Sequence, residues 1–232
     1  MSYPINYPTP QGANVQIFYA GGTTSNGTAK DWVKPQGASF VWFTLIGSGG
    51  GGSISDGIGG QSGAVTNFMG PAFLIPDVLR VNVGVGTANK ANGSDTTIIY
   101  QAKDGTGYTL LTAKGGGGGG NGDVATASTS NYFSAMGFFQ SVGGQVGSGT
   151  GTAASSTTFL SGGGWESNTT TANYGYTTKK DGSFQMQPII VGTGGTGNDG
   201  FTAGRGGIGC GGGVVTSDSG RGGDGLVVII TW

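Results

Sequence analysis

Residues 40–53, FVWFTLIGSGGGGS, place an apolar run ahead of a loop in which Gly47, Gly49 and Gly52 fit G-x-G-x-x-G. That spacing serves dinucleotide binding only when a helix comes after the turn, because the helix N-terminus holds the pyrophosphate. After Gly52 the chain reads SISDGIGGQSGAV, which has no apolar period. The run GGGGGGNG (115–122) lacks the Gly-Lys-Ser/Thr ending of a phosphate loop. Glycan hydrolysis needs a pair of carboxyl groups at a set separation. The only glutamate is Glu166, and the aspartates nearest to it in sequence are Asp123 and Asp181, so no pair is evident. Asp199, Asp218 and Asp224 sit in glycine loops where oxygen ligands could hold Ca²⁺, but without a repeated spacing. The chain has no histidine and one cysteine, Cys210. Histidine-based triads and His-containing zinc sites are therefore excluded, as is any internal disulfide. Cys210, within IGCGGG, reads as a small apolar residue. No catalytic residue, cofactor site or metal site is expected, and the chain reads as non-enzymatic.

The composition is unusual. Of 232 residues, 54 are glycine and only 9% are charged, whereas ordinary domains carry roughly 7% glycine and about 25% charge. Aromatics at 10% and hydrophobics at 35% supply a core, so the chain reads as folded and loop-rich. Ten basic and eleven acidic residues give a net charge of −1, with no basic run beyond Lys179-Lys180. Phosphate-backbone binding needs clustered cations, so nucleic acid is not an expected partner. No stretch approaches the roughly 20 apolar residues of a membrane span. The opening MSYPINYPTPQGANV lacks the basic start and apolar run of a signal peptide.

The elements read as strands. VQIFYA (15–20) has room for one, behind a proline-rich start that suggests an extended arm. FVWFTLI (40–46) reads as a strand buried on both faces. In VLRVNVGVG (78–86), Leu79, Val81, Val83 and Val85 share one side. DTTIIYQA (95–102) and YTLLTA (108–113) flank Lys103–Gly107, whose Asp-Gly signals a hairpin. LVVIITW (226–232) is apolar enough to need strands on both sides, so the fold should join its end to its middle, as Greek-key sandwiches do. NYFSAMGFFQSV (131–142), the nearest approach to a helix, is interrupted by Gly137. Trp32 and Trp42 are expected in the core. The fold class is all-β, an antiparallel sandwich of Greek-key or jelly-roll type.

Glycine clusters fill 115–120, 143–151, 162–164, 191–200, 203–213 and 220–225. A flexible linker rarely carries so many aromatic and branched residues, and collagen needs a strict triplet register with much proline. Collagen is ruled out, and beside the linker two readings remain. In one, the segments pack side by side as polyglycine II, left-handed helices of three residues per turn that hydrogen-bond to one another. In the other, they are irregular loops over the sandwich.

DWVKPQGASFVWFTLIGSGGGGS, VLRVNVGVG, LLTAKGGGGGG and GGDGLVVIITW together resemble the glycine-rich domain of bacteriophage tail-fibre and other virion proteins. The match covers about residues 31–120 and 191–232. A Trp-x-x-Pro segment leads to a strand with a glycine run, a strand ending in V-G-x-G comes next, and G-G-x-G precedes the last strand. The polyglycine II adhesins at tail-fibre tips are similar in a looser way. The resemblance implies a non-enzymatic virion protein, a tail fibre, spike or tip for host attachment. It would be made in the host cytoplasm and released by lysis. A capsid decoration or head-fibre protein, or a subunit of an extracellular filament, is the alternative. Implied partners are other virion proteins through an N-terminal arm (1–30) and a host surface glycan or outer-membrane protein. A homotrimer is implied by the usual symmetry, and neither nucleic acid nor membrane insertion is expected. The domain proper would span 31–232, with 124–190 as candidate surface loops. Their aromatics Tyr132, Phe133, Phe138, Phe139, Trp165, Tyr174, Tyr176 and Phe184 stand among Ser, Thr, Asn and Gly, a composition suited to recognition.

Overall fold

A computed structural model describes residues 12–21, 29–56, 58–120, 126, 133–144, 209, 211–212, 214–215 and 218–232. The strands are β1 (Asn14–Tyr19), β2 (Lys30–Val33), β3 (Phe40–Ile46), β4 (Val65–Pro71), β5 (Val78–Asn82), β6 (Thr96–Gln101), β7 (Gly107–Ala113), β8 (Phe138–Val142), β9 (Val214–Val215), β10 (Asp218–Ser219) and β11 (Leu226–Thr231). They form a five-stranded sheet in the order β1-β11-β3-β4-β8, a four-stranded sheet β2-β5-β6-β7 and a short β9–β10 ribbon. All pairings are antiparallel. The protein is an all-β sandwich. Within the larger sheet, β11-β3-β4-β8 is the Greek-key order, the last strand returning beside the first.

Alternation explains the core. Leu79, Val81 and Val83 point inward from the four-stranded sheet with Trp32, Ile98 and Leu111, and they meet Val41, Phe43, Leu45, Phe68, Val227 and Ile229 of the other. Aromatic rings dominate the contact: Trp32 stands edge-on to Phe43 at 5.7 Å, and Phe43 stacks on Phe68 at 6.3 Å. β3 and β11 are apolar on both faces, as their sequences require. Ile46, Val65, Leu226, Val228 and Ile230 form a second buried cluster on the outer face, flanked by Ile17, Trp42 and Trp232. β11 lies between β1 and β3, with Val228 opposite both Ile17 and Thr44. β1 is thus an edge strand of the sheet, so the segment read as an arm contributes to the domain. Its first eleven residues lie outside the described ones.

The β6–β7 hairpin closes over Ala102–Thr106. Gly105 takes a φ of 86° and the Asp104 carboxylate accepts the Thr106 N–H at 2.9 Å. That bond, with one from the Thr106 side chain, holds the Asp104 carboxyl below the usual carboxylate range. At the other end of the sandwich, β3, β5 and β7 run out into glycine segments, and β4, β6 and β11 are entered from them. Thr96, fully buried at this junction, links the two sheets. Its hydroxyl donates to the Ile46 carbonyl at 2.7 Å and accepts the Gly84 N–H at 3.0 Å. Thr96→Val keeps the shape but removes the hydroxyl that the Gly84 N–H donates to and that reaches the Ile46 carbonyl. We expect a loss of about 1–3 kcal/mol, read by denaturant titration.

Candidate glycine-array recognition end

The glycine segments continue the strands as a packed bundle whose centre is Gly47–Ser53. Its hydrogen bonds repeat every third residue. The N–H groups of Gly47, Gly50 and Ser53 donate to Ala64, Gln61 and Ile58 at 2.9 Å each. Those of Ser48 and Gly51 donate to Ser94 and Ala91, and those of Gly49 and Gly52 to Gly223 and Gly220. The carbonyls keep the same step. Ser48 and Gly51 accept from Gly116 and Gly119, Gly49 and Gly52 from Thr87 and Lys90, and Gly50 from Gly212. A helix with three residues per turn and no internal hydrogen bonds has this outward pattern, so the segment is polyglycine II. Six stretches of chain surround it: 58–64, 84–90, 91–94, 115–119, 209 with 211–212, and 220–225. Neighbouring stretches bond to each other with the same step, as when Gln61 and Ala64 donate to Gly117 and Lys114 at 2.8 Å.

Close approach is why glycine is needed. A Cβ on Gly50 would fall inside the carbonyl group of Gly117, and one on Gly222 inside that of Gly49. Side chains that do enter the bundle serve it. The buried Ser48 hydroxyl donates to the Val85 and Ser94 carbonyls at 3.0 and 2.9 Å. The Asp95 and Asn92 side chains accept the N–H groups of Gly115 and Gly118. Asp224, a candidate calcium ligand by sequence, accepts from the Gly86 N–H at 2.9 Å and pairs with Arg221 at 3.3 Å. Its oxygen Oδ1 is thereby committed to holding two array segments together.

The same bonds answer the G-x-G-x-x-G match. The N–H groups of Gly47, Gly49 and Gly52, which a pyrophosphate would need, are all donated to carbonyls of neighbouring segments. Among the described residues, no group of three or more His, Cys, Asp or Glu could hold a metal. Glu166, Asp123, Asp181, Asp199 and Cys210 lie outside the described residues, and so does the side chain of Asp218.

A family model described as a glycine-rich domain matches residues 23–232. The chain belongs to the glycine-rich domain family. The match takes in β2 to β11 and every array segment, and it includes 124–190, where the sequence carries none of the resembling motifs. No curated protein sequence matches this glycine-rich domain.

Of the eight candidate recognition aromatics, three are described. Phe133 is 1% exposed and packs on Phe68 with ring centres 4.3 Å apart, so it belongs to the core and not to a surface. Phe139 is half-buried against the same core, opposite Phe68 on β8. Phe138, opposite Met69, is 44% exposed. The other five, Tyr132, Trp165, Tyr174, Tyr176 and Phe184, lie outside the described residues.

The far end of the array carries a polar cluster that the sequence did not single out. The Asp56 carboxylate pairs with Lys90 at 2.8 Å and accepts the Ser53 hydroxyl at 2.6 Å and that of Ser55 at 3.3 Å. The hydrogen bond from Lys90, then that from Ser53, holds this carboxyl below its ordinary value, so it is charged throughout the physiological range. Asn89 accepts a hydrogen bond from the Ser219 hydroxyl at 2.9 Å. Only the polar interruption TANKAN (87–92) between two apolar strands marked this place in the sequence.

Proposed function

We propose that this glycine-rich domain is a non-enzymatic structural protein of a bacteriophage particle, a tail fibre, spike or tip that touches the host. The observation that carries the reading is the array itself. Its central backbone groups are turned on one another rather than toward a ligand, which makes a stiff platform from which chain excursions project. Described turns at Ser53–Ile58 and Ala88–Ala91 leave its far end, and Gly209 bonds to Gly63 and Asp224 in the array. A rigid scaffold carrying loops is how recognition surfaces are commonly built. The phage assignment rests on the motif resemblance.

The test is adsorption of fluorescently labelled protein to a panel of bacterial strains, read by flow cytometry alongside native mass by light scattering. Saturable binding to a subset of strains is expected, with a trimer near three times 22.9 kDa. Binding to no strain would overturn the attachment role. Open-ended polymers would replace it with the filament subunit.

A further inference from the structure

The five-stranded sheet has no charged side chain in any of its strands, NVQIFY, LVVIIT, FVWFTLI, VTNFMGP and FFQSV. The four-stranded sheet differs, with Lys30, Asp31 and Arg80 on its neighbouring strands β2 and β5. The open edge of a sheet is a template for another strand, because its N–H and C=O groups are unpaired. Proteins protect such edges with charge, proline, a bulge or a very short strand. β1 has none of these. It runs six residues without charge or proline and keeps an unbroken register with β11, from Asn14↔Thr231 to Tyr19↔Leu226. The first charged side chain in the sequence is Lys30. Among the described residues, no strand pairs with the other side of β1. Every second residue of it therefore directs an N–H and a C=O away from the sheet.

The side chains show what fits that edge. Val15, Ile17 and Tyr19 alternate onto the outer face of the sheet, where Ile17 packs on the cluster of Val228 and Ile230. Val15 and Tyr19 are exposed, at 39% and 56%. Phe18 points the other way, into the core between the sheets. A second β1 laid antiparallel must bring like faces together. With Ile17 opposite its own copy, Val15 lies opposite Tyr19 and Gln16 opposite Phe18. Aromatic rings opposite β-branched side chains are a favourable cross-strand combination, and this register forms two such pairs with no like charges in contact. A slip of one residue would set outward side chains against inward ones. A slip of two would leave Val15 or Tyr19 without a partner in the strand.

We propose that β1 is a self-pairing edge, at which two copies of the chain join antiparallel about a two-fold axis at Ile17. The two five-stranded sheets then become one, with a continuous apolar outer face. The inference goes beyond the attachment role and does not rest on it. One strand per copy is small beside the roughly 20–30 residues a side of a stable interface, so the pairing depends on concentration. The test is native mass by light scattering from low to high micromolar protein, for wild type and for Tyr19→Lys, which charges the edge at an exposed position. The wild-type mass should rise to about twice that of the variant, while the variant's mass stays constant. The unit counted is the one that Tyr19→Lys forms, so a monomer going to two copies and a trimer going to six are the same result. A second measurement fixes the register without adding charge. Val15→Cys and Tyr19→Cys proteins, each with Cys210→Ser, should form a disulfide under mild oxidation when mixed, and neither with itself. A constant wild-type mass overturns the pairing, as does an equal rise in Tyr19→Lys. Doubling without the mixed cross-link places the contact on another surface and overturns it too. Tyr19→Lys is expected to melt within about 6 °C of wild type. If it melts lower, the cross-link decides, and its absence overturns the pairing.

Discussion

Gly50→Ala is expected to destabilise the protein by more than about 3 kcal/mol, because the new methyl group has nowhere to go. It would coincide with the Gly117 carbonyl, and moving Gly117 away breaks the bond that carbonyl accepts from Gln61. Nor can the central segment retreat, since its N–H and C=O groups are tied to six other stretches of chain. At about 2–4 °C per kcal/mol for a chain of this size, the melting temperature should fall by at least about 6–12 °C. Gly37→Ala is the control. Gly37 has a φ of 82° but nothing within 4 Å of the position its Cβ would take, so only the backbone preference is lost. That costs about 1 kcal/mol. Similar losses for the two variants would mean that the glycines are selected for dihedral freedom and not for packing.

The contrast bears on why so much glycine is tolerated. Each glycine ordered on folding costs more backbone entropy than any other residue. In the array the return comes from satisfying backbone groups that would otherwise need water, at a density that side chains would prevent. Ser48 and Thr96 show the limit of what fits. Each is a small residue whose hydroxyl joins the network by bonding to carbonyls of adjacent segments.

The strands were legible because their side chains alternate. Leu79, Val81, Val83 and Val85 mark the inward face of one sheet, and the unbroken apolarity of LVVIITW placed β11 between two partners. The glycine segments were legible as segments, but their pairing was not. A glycine presents the same surface on all three faces of a polyglycine helix, so no residue signals that Gly50 meets Gln61 while Gly49 meets Gly223. The far-end cluster was hidden for a related reason. Asp56, Lys90 and Ser219 are distant in sequence and unremarkable singly, and only the array brings their turns together. The aromatics of 124–190 were read by composition, which cannot tell an exposed ring from one facing inward.

Phe133 and Phe138 put that last distinction to a test. Both stand in one short stretch, NYFSAMGFFQ, yet a 3-10 turn at Phe133–Ala135 and Gly137 intervene before β8 begins. The turn is closed by the Met136 N–H on the Phe133 carbonyl at 3.1 Å, and the Phe133 ring lies against Phe68, with Met136 packed at the edge of the core. Gly137 then passes so close to the Met69 carbonyl that a side chain there would collide, which brings β8 onto the edge of β4. Phe133→Ala should therefore cost about 3–5 kcal/mol, the penalty for emptying a buried aromatic position. Phe138→Ala should cost clearly less, about 1–2 kcal/mol, because its ring is already 44% exposed on β8. In cell-adsorption assays corrected for folded fraction, Phe133→Ala should bind as wild type does, because its ring never meets a ligand. A stable Phe133→Ala protein with lost adsorption would return Phe133 to the recognition surface and require the edge at β8 to open.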